Sequence, residues 1–214
     1  MAPKLFMNSL SPACRAVLMC AQEVGINLEL NVIDLTKGEH LKPEFLKKNP
    51  QHTIPVLEDD DVVIVDSHAI MGYLVGKYAM DDSIYPKDDI DARAIIDHKL
   101  HFDSSILYVR GLLIASALIH KDSQPSKENL EYLKDAFAIL DKLLQGKDYI
   151  AGGSLSIADF SILSSVTAWE TFVPTKDFPN IVKYVQRMQK LPFSKVNLKG
   201  VEELKSLLSG KLKA

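Results

Sequence analysis

Ser11-Pro12-Ala13-Cys14-Arg15-Ala16-Val17 sets a hydroxyl beside a proline at a change of pattern. A short apolar run, Leu5 to Met7, gives way there to the apolar positions Val17, Leu18, Cys20 and Ala21. A serine before proline opens a helix, and the first N–H groups of a helix have no partners of their own. Hydroxyl, N–H groups and helix dipole together favour developing negative charge at that point. Taken alone, the same residues describe a common helix cap. A second cluster, Asn49-Pro50-Gln51-His52-Thr53-Ile54-Pro55-Val56-Leu57, contains an X-Pro bond at the start of a strand pattern. Only about 5–6% of such bonds are cis in folded proteins. A cis bond here would leave the N–H and C=O of Ile54 free to take an extended peptide as a false strand. By itself the dipeptide reads as a loop proline. Asp66-Ser67 then supplies a carboxylate and a hydroxyl at a further helix start, where N–H groups and dipole bind a carboxylate and the acid takes an ammonium. That pair, too, starts helices that bind nothing.

Other polar groups point less far. His40, His52 and His68 lie 12 and 16 residues apart, spacings that match no compact metal motif, so no metal is expected. Asp59-Asp60-Asp61 reads as a solvated turn. Ser156-Ile157-Ala158-Asp159-Phe160 is a capping box leading into an apolar run, a structural signal.

The elements that must position these residues fall into two groups. Lys4–Met7 reads as a strand, Pro12–Val24 as a helix stopped by Gly25, and Leu28, Leu30 and Val32 as one face of a second strand. A short helix over Pro43–Lys48 ends before Pro50. Val56-Leu57 and Val62–Val65 form a hairpin around an acidic turn, and Ser67 to about Tyr78 is a helix. The order βαβαββα predicts a small α/β domain over 1–80 with helices on both faces. Asp81 to Asp88 is a polar linker. Residues 89–214 carry no strand signal: Ile95, Ile96, Leu100, Ile106, Leu107, Leu113 and Ile114 recur at helical spacing, as do Leu130, Leu133, Phe137, Leu140 and Leu144. An all-α bundle follows, its later helices started by Ser156 and Pro179.

With 214 residues, 47% of them apolar and 25% charged, the chain has material for two packed domains. A formal net charge of −3 argues against nucleic acid or an anionic membrane as partner. The apolar stretch before Asn8 is too short for a signal peptide, and no unbroken apolar run reaches the length of a membrane span. Cys14 and Cys20, six apart in one helix, share no face and are not expected to pair. The chain reads as cytoplasmic.

Taken together the motifs resemble the cytosolic glutathione transferases, most of all the insect epsilon class, with delta as near neighbour. The resemblance is carried by Ser11-Pro12 with Arg15-Ala16-Val17, Gly38-Glu39-His40-Leu41, Pro43-Glu44-Phe45, the Asn49–Leu57 cluster and Asp66-Ser67-His68-Ala69-Ile70. Tyr85-Pro86-Lys87-Asp88, His101-Phe102-Asp103-Ser104 and Ser156–Phe160 continue it over nearly the whole chain. It implies a thioredoxin-like domain followed by a helical domain, in a homodimer. It implies that Ser11 hydrogen-bonds the glutathione sulfur, that His52, Ile54, Asp66 and Ser67 contact glutathione with His40 and Arg110 as further contacts, and that Pro55 is the family's cis proline. A hydrophobic pocket beside them draws on Leu10, Tyr108, Val109 and Leu113. Ala13 and Phe6 depart from the proline and tyrosine that many epsilon members carry.

The implied activity is conjugation of glutathione, a co-substrate rather than a resident cofactor, to small hydrophobic electrophiles, with hydroperoxide reduction open to the same site. Two other readings fit such a scaffold: a biosynthetic glutathione-dependent enzyme of a hormone or pigment pathway, and a non-catalytic carrier of hydrophobic ligands.

Overall fold

Alternation decides the first half of the chain. In the computed structural model, which describes residues 2–213, strand β1 (Lys4–Met7) sends Leu5 and Met7 to one face and Phe6 to the other. Strands β2 (Glu29–Val32), β3 (Val56–Asp59) and β4 (Val62–Val65) complete a sheet of order β2-β1-β3-β4. β1 runs parallel to β2 and antiparallel to β3, in a register that sets Leu5 opposite Leu57 and Phe6 opposite Val56. Helices α1 (Pro12–Val24) and α3 (Ser67–Tyr78) cover the Leu5–Leu57 face. On the other face α2 (Pro43–Leu46) lays Phe45 edge-on to Phe6, 6.3 Å between ring centres, with Ile33 and Val56 beside them. α1 ends where Gly25 takes φ 79°, a conformation that lets its N–H reach the Ala21 and Gln22 carbonyls.

β2 falls where the alternation puts a strand, at the sheet's edge, with Leu30 and Val32 in solvent. One expectation needs correcting here. Asp59 is not part of a solvated turn. It is the last residue of β3, 2% exposed, and one carboxylate oxygen accepts from Tyr73 (2.8 Å), Lys77 (2.7 Å) and Tyr78 (2.5 Å) on α3. The turn itself is Asp60-Asp61.

Beyond the linker come α4 (Ile90–Phe102), α5 (Tyr108–Lys121), α6 (Lys127–Leu143), α7 (Ile157–Trp169), α8 (Pro179–Met188) and α9 (Ser194–Ser209). Every residue of α7 is buried, and α1, α4 and α9 pack on it. Its start is the expected capping box, in which Asp159 accepts from the Ser156 N–H (2.8 Å) and hydroxyl (2.9 Å). Between α4 and α5 the chain stays helical but widens to a π-turn at Asp103–Leu107. The continuous run Ile90–Lys121 is therefore long and apolar enough to cross a membrane by length and composition, which a search for unbroken apolar runs passes over. Its Ile96, Leu100, Leu107, Ile114 and Leu118 are spent in the core.

Candidate functional site

Four hydrogen-bonded constraints shape the loop before α1. The Asn8 amide donates to the Ile33 carbonyl (3.0 Å), its Oδ1 receives the Leu10 N–H (3.0 Å), and its carbonyl receives the Ser11 N–H (3.0 Å). The Ser9 hydroxyl donates to Glu203 on α9 (2.7 Å). Ser11 is the N-cap of α1, accepting a long bond from the Cys14 N–H (3.4 Å), and its hydroxyl stands beside that of Tyr108. Cys14 is no competing nucleophile: complete burial pushes its thiol up to about 11.

Facing this loop, buried Asn49 organises the segment before β3. Its amide donates to the Thr53 carbonyl (2.8 Å) and hydroxyl (3.0 Å), its Oδ1 accepts the Gln51 N–H (2.9 Å), and its carbonyl accepts the His52 N–H (2.9 Å). The Ile54-Pro55 peptide is cis, and the Ile54 N–H and C=O have no partner among the described residues. Asp66, at φ 76°, caps α3 with a single oxygen, Oδ1, which takes the His68 N–H (2.9 Å) and Ala69 N–H (3.3 Å). Its Oδ2 stays open. Ser67 is buried, yet neither its N–H nor its hydroxyl meets a partner among the described residues.

These groups converge on a cleft of about 220 Å³ between the two halves of the chain. Ala13 contributes from α1, Gln51, Thr53, Ile54 and Pro55 from the loop, and Asp66, Ser67 and His68 from the start of α3. The helical half adds Asp103, Ser104, Tyr108 and Leu112, and three serines of α7: Ser161, Ser164 and Ser165. His68 Nε2 lies 2.7 Å from the Ser161 hydroxyl, which donates to Asp103 (2.5 Å). Asp103 Oδ1 and the Ser165 hydroxyl are buried without partners among the described residues. Burial, with Cys14 and Asp103 nearby, raises the Tyr108 hydroxyl well above its ordinary range and keeps it protonated.

The residues singled out in the sequence divide accordingly. Ile54, Pro55, Asp66, Ser67 and Tyr108 line the cleft, while Ser11 caps the helix whose second residue, Ala13, does so. His40 and His52 stand as a tilted pair, 6.3 Å between ring centres, outside the lining. Burial, followed by the charges of His52 and His120, lowers the His40 pKa and favours its neutral form. Arg110 is turned away: its guanidinium is held on α6 by the Tyr132 carbonyl (2.6 Å) and Asp135 (2.8 Å). Leu10 packs into the core, and Val109 and the exposed Leu113 fall outside the cleft, where Leu112 takes their place. Tyr108 and Leu112 stand four apart on α5 and share one helix face, whereas Val109 and Leu113 each lie one residue round from it.

Sequence reasoning passes over Asp103, Ser161, Ser165 and the cleft role of His68. By spacing alone His68 suggests no more than a metal ligand, and the serines of α7 carry no periodic signal because the whole helix is buried. Among the described residues no three His, Cys, Asp or Glu side chains are grouped to hold a metal ion.

Comparison with known proteins supplies the context. Residues 10–76 match the family model for the glutathione S-transferase N-terminal domain, and residues 96–192 that for the C-terminal domain. Glutathione S-transferase D6 of Drosophila melanogaster is 40% identical over 210 residues, 97% of each chain. A glutathione transferase homologue from Drosophila mojavensis, solved with bound glutathione, superposes with a TM-score of 0.95 at 33% identity, covering 99% of this chain and 98% of that one. An epsilon-class enzyme from the housefly, Musca domestica, gives 0.93 at 36% identity over 99% and 100% of the two chains.

Proposed function

This chain belongs to the glutathione S-transferase family and is a glutathione transferase, and from that premise we propose which of its groups hold glutathione and activate the thiol. Glutathione presents an ammonium and a carboxylate at its γ-glutamyl end, a peptide edge in its middle, a thiol, and a second carboxylate at glycine. The open Oδ2 of Asp66 takes the ammonium, and the Ser67 N–H and hydroxyl take the adjoining carboxylate at the positive end of α3. The free Ile54 N–H and C=O pair with the cysteinyl main chain. His40 and His52 receive the glycine carboxylate. Arg110, committed to Asp135, is left out of this set.

The thiol then falls beside Ser11. An ordinary thiol has a pKa near 8.5 and is only a few per cent ionised at pH 7. The Ser11 hydroxyl and the first turn of α1 favour the thiolate, and the proton leaves to solvent. The thiolate sulfur attacks the electrophilic carbon of a small hydrophobic substrate held against Tyr108 and Leu112. A C–S bond forms, and a leaving group, where there is one, departs with its bonding pair. The observation that carries this reading is the pair of unmet groups around one cleft, the Ile54 peptide edge and the Asp66-Ser67 helix start, with the Ser11 cap of α1 beside them. The relatives lend no support to a carrier or a dedicated biosynthetic enzyme. A homodimer working in the cytosol completes the proposal, by analogy with the family.

Conjugation to a generic aromatic halide, run beside calorimetry of glutathione binding, tests it. Ser11→Ala should leave glutathione affinity nearly intact while the pKa of the bound thiol rises by about one to two units. A parental pKa with retained turnover in that variant would reduce Ser11 to a helix cap.

A further inference from the structure

Arg15 is the one basic side chain with no exposed surface among the described residues, and it lies one turn below Ser11. Its backbone N–H closes the first turn of α1 on the Ser11 carbonyl (3.1 Å). Its guanidinium gathers the two carbonyls just before Ser11, donating from one nitrogen to Ser9 (2.9 Å) and Leu10 (3.0 Å). The remaining donors reach Asn197 Oδ1 on α9 (2.9 Å) and the Ser164 carbonyl on α7 (3.4 Å). Each of these acceptors is neutral. No carboxylate lies within ion-pair distance of Arg15 among the described residues.

A buried cation normally acquires a counter-ion, because taking a lone charge out of water is expensive. Here hydrogen bonds hold the charge without cancelling it. The titratable groups that act on it are Cys14 on its own helix, Tyr108 on α5 and Glu203 on α9. Cys14 and Tyr108 are both kept protonated by burial, and Glu203 is on the surface, bonded to the Ser9 hydroxyl. The field of Arg15 is therefore left largely uncompensated inside the protein, where salt screens it little.

We propose that Arg15 is a positioning residue that also charges the thiol site: its fork fixes the Ser9–Ser11 loop, and its uncompensated positive charge stabilises the glutathione thiolate beside Ser11. The inference rests on the reading of Ser11 as the thiol's partner. It gives the strong N–H and hydroxyl donors of the α1 start a full charge behind them. α9 packs closely on the same loop: a Cβ on Gly200 would meet the Ser9 carbonyl oxygen at 2.4 Å and Arg15 Cδ at 2.6 Å.

The test is the pKa of enzyme-bound glutathione, read from thiolate ultraviolet absorbance against pH. Arg15→Met should raise it by about one unit and lower turnover at slightly acid pH roughly tenfold, with the glutathione KM changing far less. Arg15→Lys, which keeps the charge, should recover most of the shift. Should Arg15→Met fail to fold, Asn197→Asp decides. It sets a carboxylate against the Arg15 Nε with little change of shape and leaves the bonds to Ser9 and Leu10 in place, so the thiol pKa should again rise. An unchanged or lowered pKa in Asn197→Asp would overturn the proposal. Ser11→Ala measured alongside separates the two claims. If its thiol pKa stays parental, the reading of Ser11 fails. If it rises while Asn197→Asp does not, only the role of Arg15 fails.

Discussion

A residue acts at this site through what its neighbours leave unspent. Asp66 has two carboxylate oxygens, and the structure commits one of them to capping α3. The other is what an ammonium can use. Replacement by alanine would confuse the two roles, since it removes the cap together with the charge. Asparagine in place of the acid keeps an oxygen for the His68 and Ala69 N–H groups, and it tolerates the positive φ that Asp66 adopts. Asp66→Asn should therefore raise the KM for glutathione by roughly tenfold or more, with thermal stability near the parent's. A parental KM in the folded variant would remove Asp66 from the site. At this scale the sequence was most legible where a motif is local, as in Ser11-Pro12, Ile54-Pro55 and Asp66-Ser67. It was least legible where the role depends on distant chain. Arg110 has the charge to grip a ligand, yet Asp135, 25 positions away in sequence, already holds it. His68 reaches Ser161 across 93 positions, and no spacing rule could have paired them.

Elements position those residues by being tied at their far ends as well as near ones. α3 offers Ser67 to the cleft at its first turn and is fastened at its last turns by Tyr73, Lys77 and Tyr78 to Asp59 of β3. Lys77 also lies over both tyrosine rings, 5.3 and 5.2 Å from their centres. Burial alone would raise the Asp59 pKa, but the hydrogen bonds from Lys77, Tyr78 and Tyr73 together outweigh it, and the net shift is downward from 3.8. A carboxyl whose folded pKa is depressed adds stability above its unfolded pKa, and that stability is lost as pH falls through the folded value. Asp59→Asn should lower stability by about 1–3 kcal/mol at pH 7. It should also shrink the drop in urea midpoint between pH 7 and pH 3, because the titrating group is gone. An equal drop in parent and variant would show that Asp59 takes no part in acid unfolding. Helix and strand positions were readable because their periodicity is local: β1, α1, β4 and α3 fall where the pattern puts them. The π-turn at Asp103–Leu107 was not, since it keeps helical composition while shifting the face.

The two halves of the chain share one core. The side chains under the sheet, Leu5, Leu57 and Leu74, belong to the same apolar cluster as Phe160 of α7 and Phe193 before α9. α1 is the element in common, packing on α3 within its own half and on α7 and α9 of the other. Polar ties cross the same boundary: Arg15 to Asn197 and Ser164, Ser9 to Glu203, and His68 to Ser161. A boundary so continuous leaves neither half a separate surface to close on its own, and the molecule should unfold as one cooperative unit. Two probes report on opposite sides. Trp169, the only tryptophan, is buried at the end of α7 and reads the helical half by fluorescence. Cys14 and Cys20, buried in α1, read the other half by their accessibility to a thiol reagent. In urea the two curves should coincide, with a single midpoint. If the chain forms the homodimer proposed above, sedimenting at twice the 23.8 kDa of one chain, that midpoint should rise with protein concentration, because the dimer dissociates as it unfolds. Thiols that become reactive well before Trp169 changes its emission would show that the sheet and α1 come away first, and the shared core would then not bind the halves as its continuity implies.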